Sequence, residues 1–132
     1  MTAERTASCR CGQLRATVTG DPVRVSVCHC LDCQKRSSSV FAAQVRFPAE
    51  AVTTDGKASA YAHSGGGGNV ARFHFCPSCG DTLFFTNDNA PETIAIPMGA
   101  FDDPYFVRPN YSVWEQRKHP WVEISDAIEH FD

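Results

Sequence analysis

No stretch of this 132-residue sequence is apolar for long enough to span a bilayer, and no heptad or internal repeat runs through it. Coiled coils, solenoids and helical membrane spans are thereby excluded. Residues 1–8 (MTAERTAS) lack the apolar core of a signal peptide. A basic surplus is lacking as well: 12 Lys and Arg stand against 15 Asp and Glu, a net charge of −3. Non-specific nucleic-acid binding needs the opposite balance, so no nucleic-acid partner is expected. Helix signals are few, limited to a turn at residues 31–36 and another at 48–52, where Pro48 suits a first helical turn. The composition that remains, 42% hydrophobic and 20% charged, is globular. Its length fits one domain, residues 1–132, in which folding hides about two-thirds of the surface.

Period-two alternation dominates the chain. Leu14, Ala16 and Val18 alternate with Arg15, Thr17 and Thr19, and Val23, Val25 and Val27 with Arg24 and Ser26. Residues 41–47, 58–62, 70–75, 83–86 and 93–96 read the same way, bounded by Gly, Pro, Asn and Asp. The expected fold is mainly β, built of short antiparallel strands with little helix. Four successive glycines, Gly65 to Gly68, lack the Gly-Lys-Ser/Thr of a phosphate loop and read as a mobile hairpin tip.

Cysteine is what the sequence has in excess. Seven cannot all pair within one chain, and without a secretory segment the thiols are expected to be reduced, in a cytoplasm, and free to bind metal. They form three groups: Cys9-Arg10-Cys11, Cys28-His29-Cys30-Leu31-Asp32-Cys33 and Cys76-Pro77-Ser78-Cys79-Gly80. The last is a metal knuckle, two thiolates on a tight turn that Gly80 relieves of a Cβ. Half a tetrahedral site needs a second pair. In an extended segment Cys9 and Cys11 face one side while Arg10 points away, so the four thiols complete a closed zinc site.

Cys28, Cys30 and Cys33 can then share a second ion. Three ligands leave a tetrahedral ion an open position, the mark of a catalytic rather than a structural zinc. With three thiolates Zn²⁺ carries a formal charge of −1, poor for polarising a carbonyl but able to hold a fourth, exogenous thiol as thiolate. A fourth protein ligand would instead close the site. His29 should face away between its two cysteines, which leaves His63, His74, His119 and His130 as alternatives.

The series Cys-x-Cys-Gly, Cys-His-Cys-x-x-Cys and Cys-Pro-x-Cys-Gly resembles the glutathione-dependent formaldehyde-activating enzyme family, which includes centromere protein V. The resemblance extends to Gln34-Lys35-Arg36-Ser37, Phe41, Gly99 to Pro104 and the segment from Tyr111 to Lys118-His119-Pro120-Trp121, and so covers about residues 8–121. It implies a zinc-bearing β-tent fold with a structural ion on Cys9, Cys11, Cys76 and Cys79. It also implies a catalytic ion on Cys28, Cys30 and Cys33, reached by glutathione, whose thiol adds to formaldehyde to give S-hydroxymethylglutathione. Where the family usually carries Gly, this chain has Ala7 and Ser38, and Tyr111 stands near a common His. Ser38 adjoins the proposed catalytic loop, where loss of Gly bears on the backbone's approach to substrate.

Arg36, with Lys35, is placed to bind the carboxylates of glutathione. Trp114 and Trp121 read as aromatic closure of the core around the charged turn 117–119, and Phe73, Phe75, Phe84 and Phe85 as core or near-core packing. Two function classes follow. One is a zinc-dependent carbon–sulfur lyase that activates a small aldehyde with glutathione or a related thiol. The other is a non-catalytic zinc module or glutathione carrier.

Overall fold

The computed structural model describes residues 3–132 and consists of two sheets. The smaller joins β1 (Glu4–Ser8), β2 (Arg15–Thr19) and β5 (Val52–Asp55), all antiparallel. The larger has eight strands. Its centre is β3 (Arg24–Cys28), β4 (Ala42–Pro48) and β9 (Ala90–Pro97), flanked on one side by β8 (Thr82–Asn87), β7 (Val70–Phe75) and β6 (Ser59–Ser64). On the other side lie β10 (Tyr111–Val113) and β11 (Glu129–His130), which pair in parallel rather than in the antiparallel manner of the rest. The one α-helix among the described residues is α1 (Leu31–Ser37).

Alternation explains the core. Ala16 and Val18 of β2 meet Val25, Val45, Phe47 and Ile96 of the large sheet in one buried cluster, closed by Phe101 and Leu14. Residues of opposite parity on β3 and β4 therefore face away from this core. That second face carries Arg24, Ser26 and Cys28 beside Arg46, Gln44 and Ala42, and it floors the cavity described below.

Gly65 to Gly68 do form the β6–β7 hairpin tip, closed by Gly65 donating to the Asn69 carbonyl. The tryptophans depart from expectation: Trp114 is half-exposed and Trp121 more so. Trp114 adopts a left-handed backbone (φ 59°, ψ 41°) that starts the 3-10 turn Glu115–Arg117, which swings its ring out of the core.

Candidate metal centres

The first cysteine pair sits where β1 ends. Rather than staying extended, the chain turns: the Gly12 amide donates to the Cys9 carbonyl and the Cys9 amide to the Leu14 carbonyl. Gly12 takes φ +80°, so both thiols point to one place through a tight turn, not through strand alternation. The second pair occupies the β7–β8 connection. There the Ser78 and Cys79 amides point at Cys76 Sγ (3.4 and 3.5 Å), and Gly80, at φ +84°, donates to the Cys76 carbonyl. Cys9, Cys11, Cys76 and Cys79 bring four sulfurs within 4.8 Å of one another.

The donor set fits a tetrahedral ion. Zn–S bonds of about 2.3 Å put sulfurs about 3.8 Å apart, and the Cys9–Cys11 and Cys11–Cys76 sulfurs are 3.6 Å apart. Cys76, although buried, is pulled down to about 6 by Gln13 and the knuckle amides. The Gln13 amide pulls Cys11 down, but the crowding thiols prevail and push it up to about 11. Such a cluster releases its protons fully only to a cation.

Neighbouring polar groups lock the two knuckles together. Arg10 points outward, as expected, and grips Asp81 with its backbone amide (2.8 Å) and guanidinium (2.9 Å). Gln13 donates to Cys76 Sγ (3.0 Å) while pairing with the Lys57 backbone. Neither Asp81 nor Gln13 carries a sequence signal beyond adjacency to a cysteine motif.

Cys28, Cys30 and Cys33 form the second cluster, within the same 4.8 Å. Cys28 ends β3, Cys30 is the N-cap of α1, and Cys33 lies one turn on, its amide donating to Cys30 Sγ (3.3 Å). Hydrogen bonds from the other two thiols hold Cys30 down to about 2 and leave Cys28 raised. Without a cation the trio accommodates one negative charge; ionising all three calls for a bound cation.

None of the four alternative histidines joins the trio among the described residues. His63 meets Asp32 (3.2 Å), His74 stacks on Phe84, His119 bonds Gln34 (2.8 Å) and His130 bonds Glu115 (2.6 Å). His29 does face away: it is fully buried and bonded through Nε2 to Ser112. In place of a fourth ligand the trio adjoins a cavity of about 700 Å³. Arg36 reaches into it from α1, its guanidinium over Phe85 (4.8 Å) and Phe73 (5.3 Å). Those two phenylalanines are thus cavity wall, a role their strand alternation did not disclose.

A four-thiol clamp between two sheets, with a three-thiol cluster open to a cavity, defines a cysteine-rich β protein with two candidate metal centres. The glutathione-dependent formaldehyde-activating enzyme family matches this chain over residues 4–117, and the chain belongs to that family. Membership supports a formaldehyde-activating function and implies glutathione and formaldehyde as substrates. A crystal structure of a Rhodobacter sphaeroides protein is similar in fold, with a TM-score of 0.58 and 18% identity over 79% of this chain and 91% of that one. No curated protein matches the chain. No helix among the described residues is long and apolar enough to cross a membrane.

Proposed function

We propose that this protein, working as one domain in a cytoplasm, promotes addition of glutathione or a related thiol to formaldehyde or another small aldehyde, as a carbon–sulfur lyase acting in the synthetic direction. Supporting this is one observation above others: three thiols, with no fourth protein ligand among the described residues, line a cavity large enough for a tripeptide. In this reading Cys9, Cys11, Cys76 and Cys79 hold a structural Zn²⁺, and Cys28, Cys30 and Cys33 a catalytic one. When bound at the trio, the ion supplies an open position in which an incoming thiol stays a thiolate at neutral pH.

The chain's own residues do the rest. Cys30 at the start of α1 and Cys28 at the end of β3 fix the three sulfurs on rigid elements. Arg36 offers a guanidinium to a substrate carboxylate. Phe73 and Phe85 give the cavity an apolar wall that limits water. In the overall addition a carbon–sulfur bond forms, the carbonyl π bond breaks, and the proton lost by the thiol ends on the new hydroxyl, so nothing is oxidised.

Calorimetry of the zinc-loaded protein tests the reading. Glutathione is expected to bind more tightly than S-methylglutathione and to release a proton, seen as a heat that varies with the buffer's ionisation enthalpy. Affinity should rise as pH approaches the thiol's own pKa of about 8.5–9, because less proton release is then required. Equal affinities with no released proton would replace this mechanism with the non-catalytic carrier.

A further inference from the structure

Two arginines face each other on the cavity floor without a carboxylate between them. Arg24 on β3 and Arg46 on β4 are directly paired in register, so their side chains leave the same face of the sheet side by side. Like charges placed opposite each other across two strands destabilise a sheet. Burial and then the charge of Arg24 hold Arg46 below its usual value. Proteins relieve such a pair with an acid, and among the described residues this one does not: the ion pairs are Arg10–Asp81, His63–Asp32, Arg72–Asp88 and His130–Glu115. Glu92, the cavity's other carboxylate besides Asp32, is exposed and makes no ion pair. The arginines' contacts are an aromatic face each, Tyr111 for Arg24 (4.7 Å) and Phe85 for Arg46 (5.9 Å), and a long bond from Arg46 to Ser26 Oγ (3.4 Å).

Two orphaned polar atoms mark the same floor. Arg24 Nε is buried with no acceptor, and Gln44 Oε1 is buried with no donor. Gln44 follows Arg46 on the cavity face of β4 and stands opposite Ser26. A buried, unsatisfied donor and a buried, unsatisfied acceptor on diagonal positions of one sheet face cost stability unless a ligand completes them. The missing partner must accept from guanidinium and donate to an amide oxygen.

We infer that Arg24, Arg46 and Gln44 form a subsite for the amino-acid head of the thiol substrate, its carboxylate on the arginine pair and its nitrogen on Gln44 Oε1. The inference rests on the thiol reading above. β3 also provides a ruler: Arg24 and Cys28 lie four residues apart on one face, about 13 Å at 3.3 Å per residue. A thiol held at the cysteine trio must therefore carry its carboxylate on the order of 10 Å from sulfur. A γ-glutamyl peptide has that reach, whereas free cysteine, with its carboxylate adjacent, does not. The subsite selects long, acid-bearing thiols and sets the direction in which they lie, head at Arg24 and sulfur at Cys28.

The test uses the zinc-loaded full chain, ligands with capped sulfur, and the variants Arg24→Gln and Arg46→Gln. S-methylglutathione is expected to lose about tenfold or more in affinity in either variant, the worth of a charge-assisted bond. The weak binding of S-methylcysteine should be the same in all three proteins. Ligand-free, the variants should melt at or above the wild-type temperature, since a repulsion has been removed. Lower melting together with unchanged S-methylglutathione affinity would make the arginines structural and overturn the subsite. The ¹⁵N–¹H signal of Arg24 Nε in the wild type gives a readout independent of any variant. A shift with glutarate or glutamate but none with glutathione itself would keep the subsite and refute the glutathione reading. No shift with any of the three would refute the subsite.

Discussion

Ser38 closes α1 with a left-handed backbone, φ 55° and ψ 30°. A side chain in that region costs about 1–2 kcal/mol, and glycine adopts it freely. The chain keeps this conformation without a glycine. The approach of the cysteine helix is thus preserved at the expense of strain. Ser38→Gly should raise stability by about 0.5–1 kcal/mol, net of the glycine's greater freedom when unfolded. Chemical denaturation measures this directly, and an unchanged or lower midpoint would show that the cap is unstrained. Trp114 is the other non-glycine residue at positive φ among the described residues, and it lines the cavity mouth.

Among the elements, the last strand is held most lightly and by titrating groups. Two residues, Glu129 and His130, pair with β10, and His130 Nδ1 bonds Glu115 while its Nε2 reaches the Ser125 carbonyl (2.8 Å). The Glu115 carboxylate raises His130 above its usual 6.5. Burial pushes Glu115 up, but Ser112 and His130 outweigh it and hold it below 4.5. A raised histidine contributes in full below 6.5 and loses that contribution as pH climbs through its folded value. A lowered carboxylate contributes above 4.5 and loses it as pH falls through its own. The strap is therefore firmest between these limits, and the protection factors of the amides at residues 129–131, taken against the intrinsic base-catalysed rate, should fall as pH rises through the folded value of His130. In His130→Gln that fall in protection should vanish; its persistence would assign the change to another group.

Element by element, legibility followed length and alternation. β2, β3, β4 and β7 alternate over four or more residues, β6 does so more weakly, and β8 and β9 carry the short apolar runs Leu83–Phe85 and Ile94–Ile96, whereas β5 (VTTD) shows neither signal. β1 (ERTAS) lacks an apolar stripe, and β10 and β11 are three and two residues held by backbone pairing, so nothing in their side chains announces them. Both cysteine clusters were legible because thiols at knuckle spacing have few other uses. Arg24 and Arg46 were not: on a strand, arginine reads as the solvent face, and only the register reveals two of them opposed.

At the scale of the whole molecule, the two clusters differ in what they join. The four-thiol cluster ties the β1–β2 turn of one sheet to the β7–β8 turn of the other, whereas the trio spans a single local segment. A structural zinc contributes on the order of 10–16 kcal/mol, as much as the net stability of about 5–15 kcal/mol of a typical domain. Cys79→Ser should consequently abolish the cooperative melt or soluble yield. Cys30→Ser should leave a folded protein with one tightly held zinc. Graded chelation of the wild type should remove one equivalent with the melt intact and the second only with unfolding, followed by metal content and circular dichroism together. Equal damage from both substitutions would erase the division between the two sites.

Cys11 and Cys76 lie 65 residues apart in the chain. At a synthesis rate of about 5–20 residues per second, the first pair of thiols waits on the order of 3–13 s for the second. During that interval Cys9 and Cys11 offer half a site, with the sheet they must be fastened to still unmade. On the zinc reading, capture of the ion waits for Cys79, with β8 to β11 still to be made, and so reports passage of the β7–β8 turn. A chain stalled or cleaved before Cys76 lacks half of the four-thiol cluster, so on that reading it should be degraded by proteases faster than one that extends past Cys79.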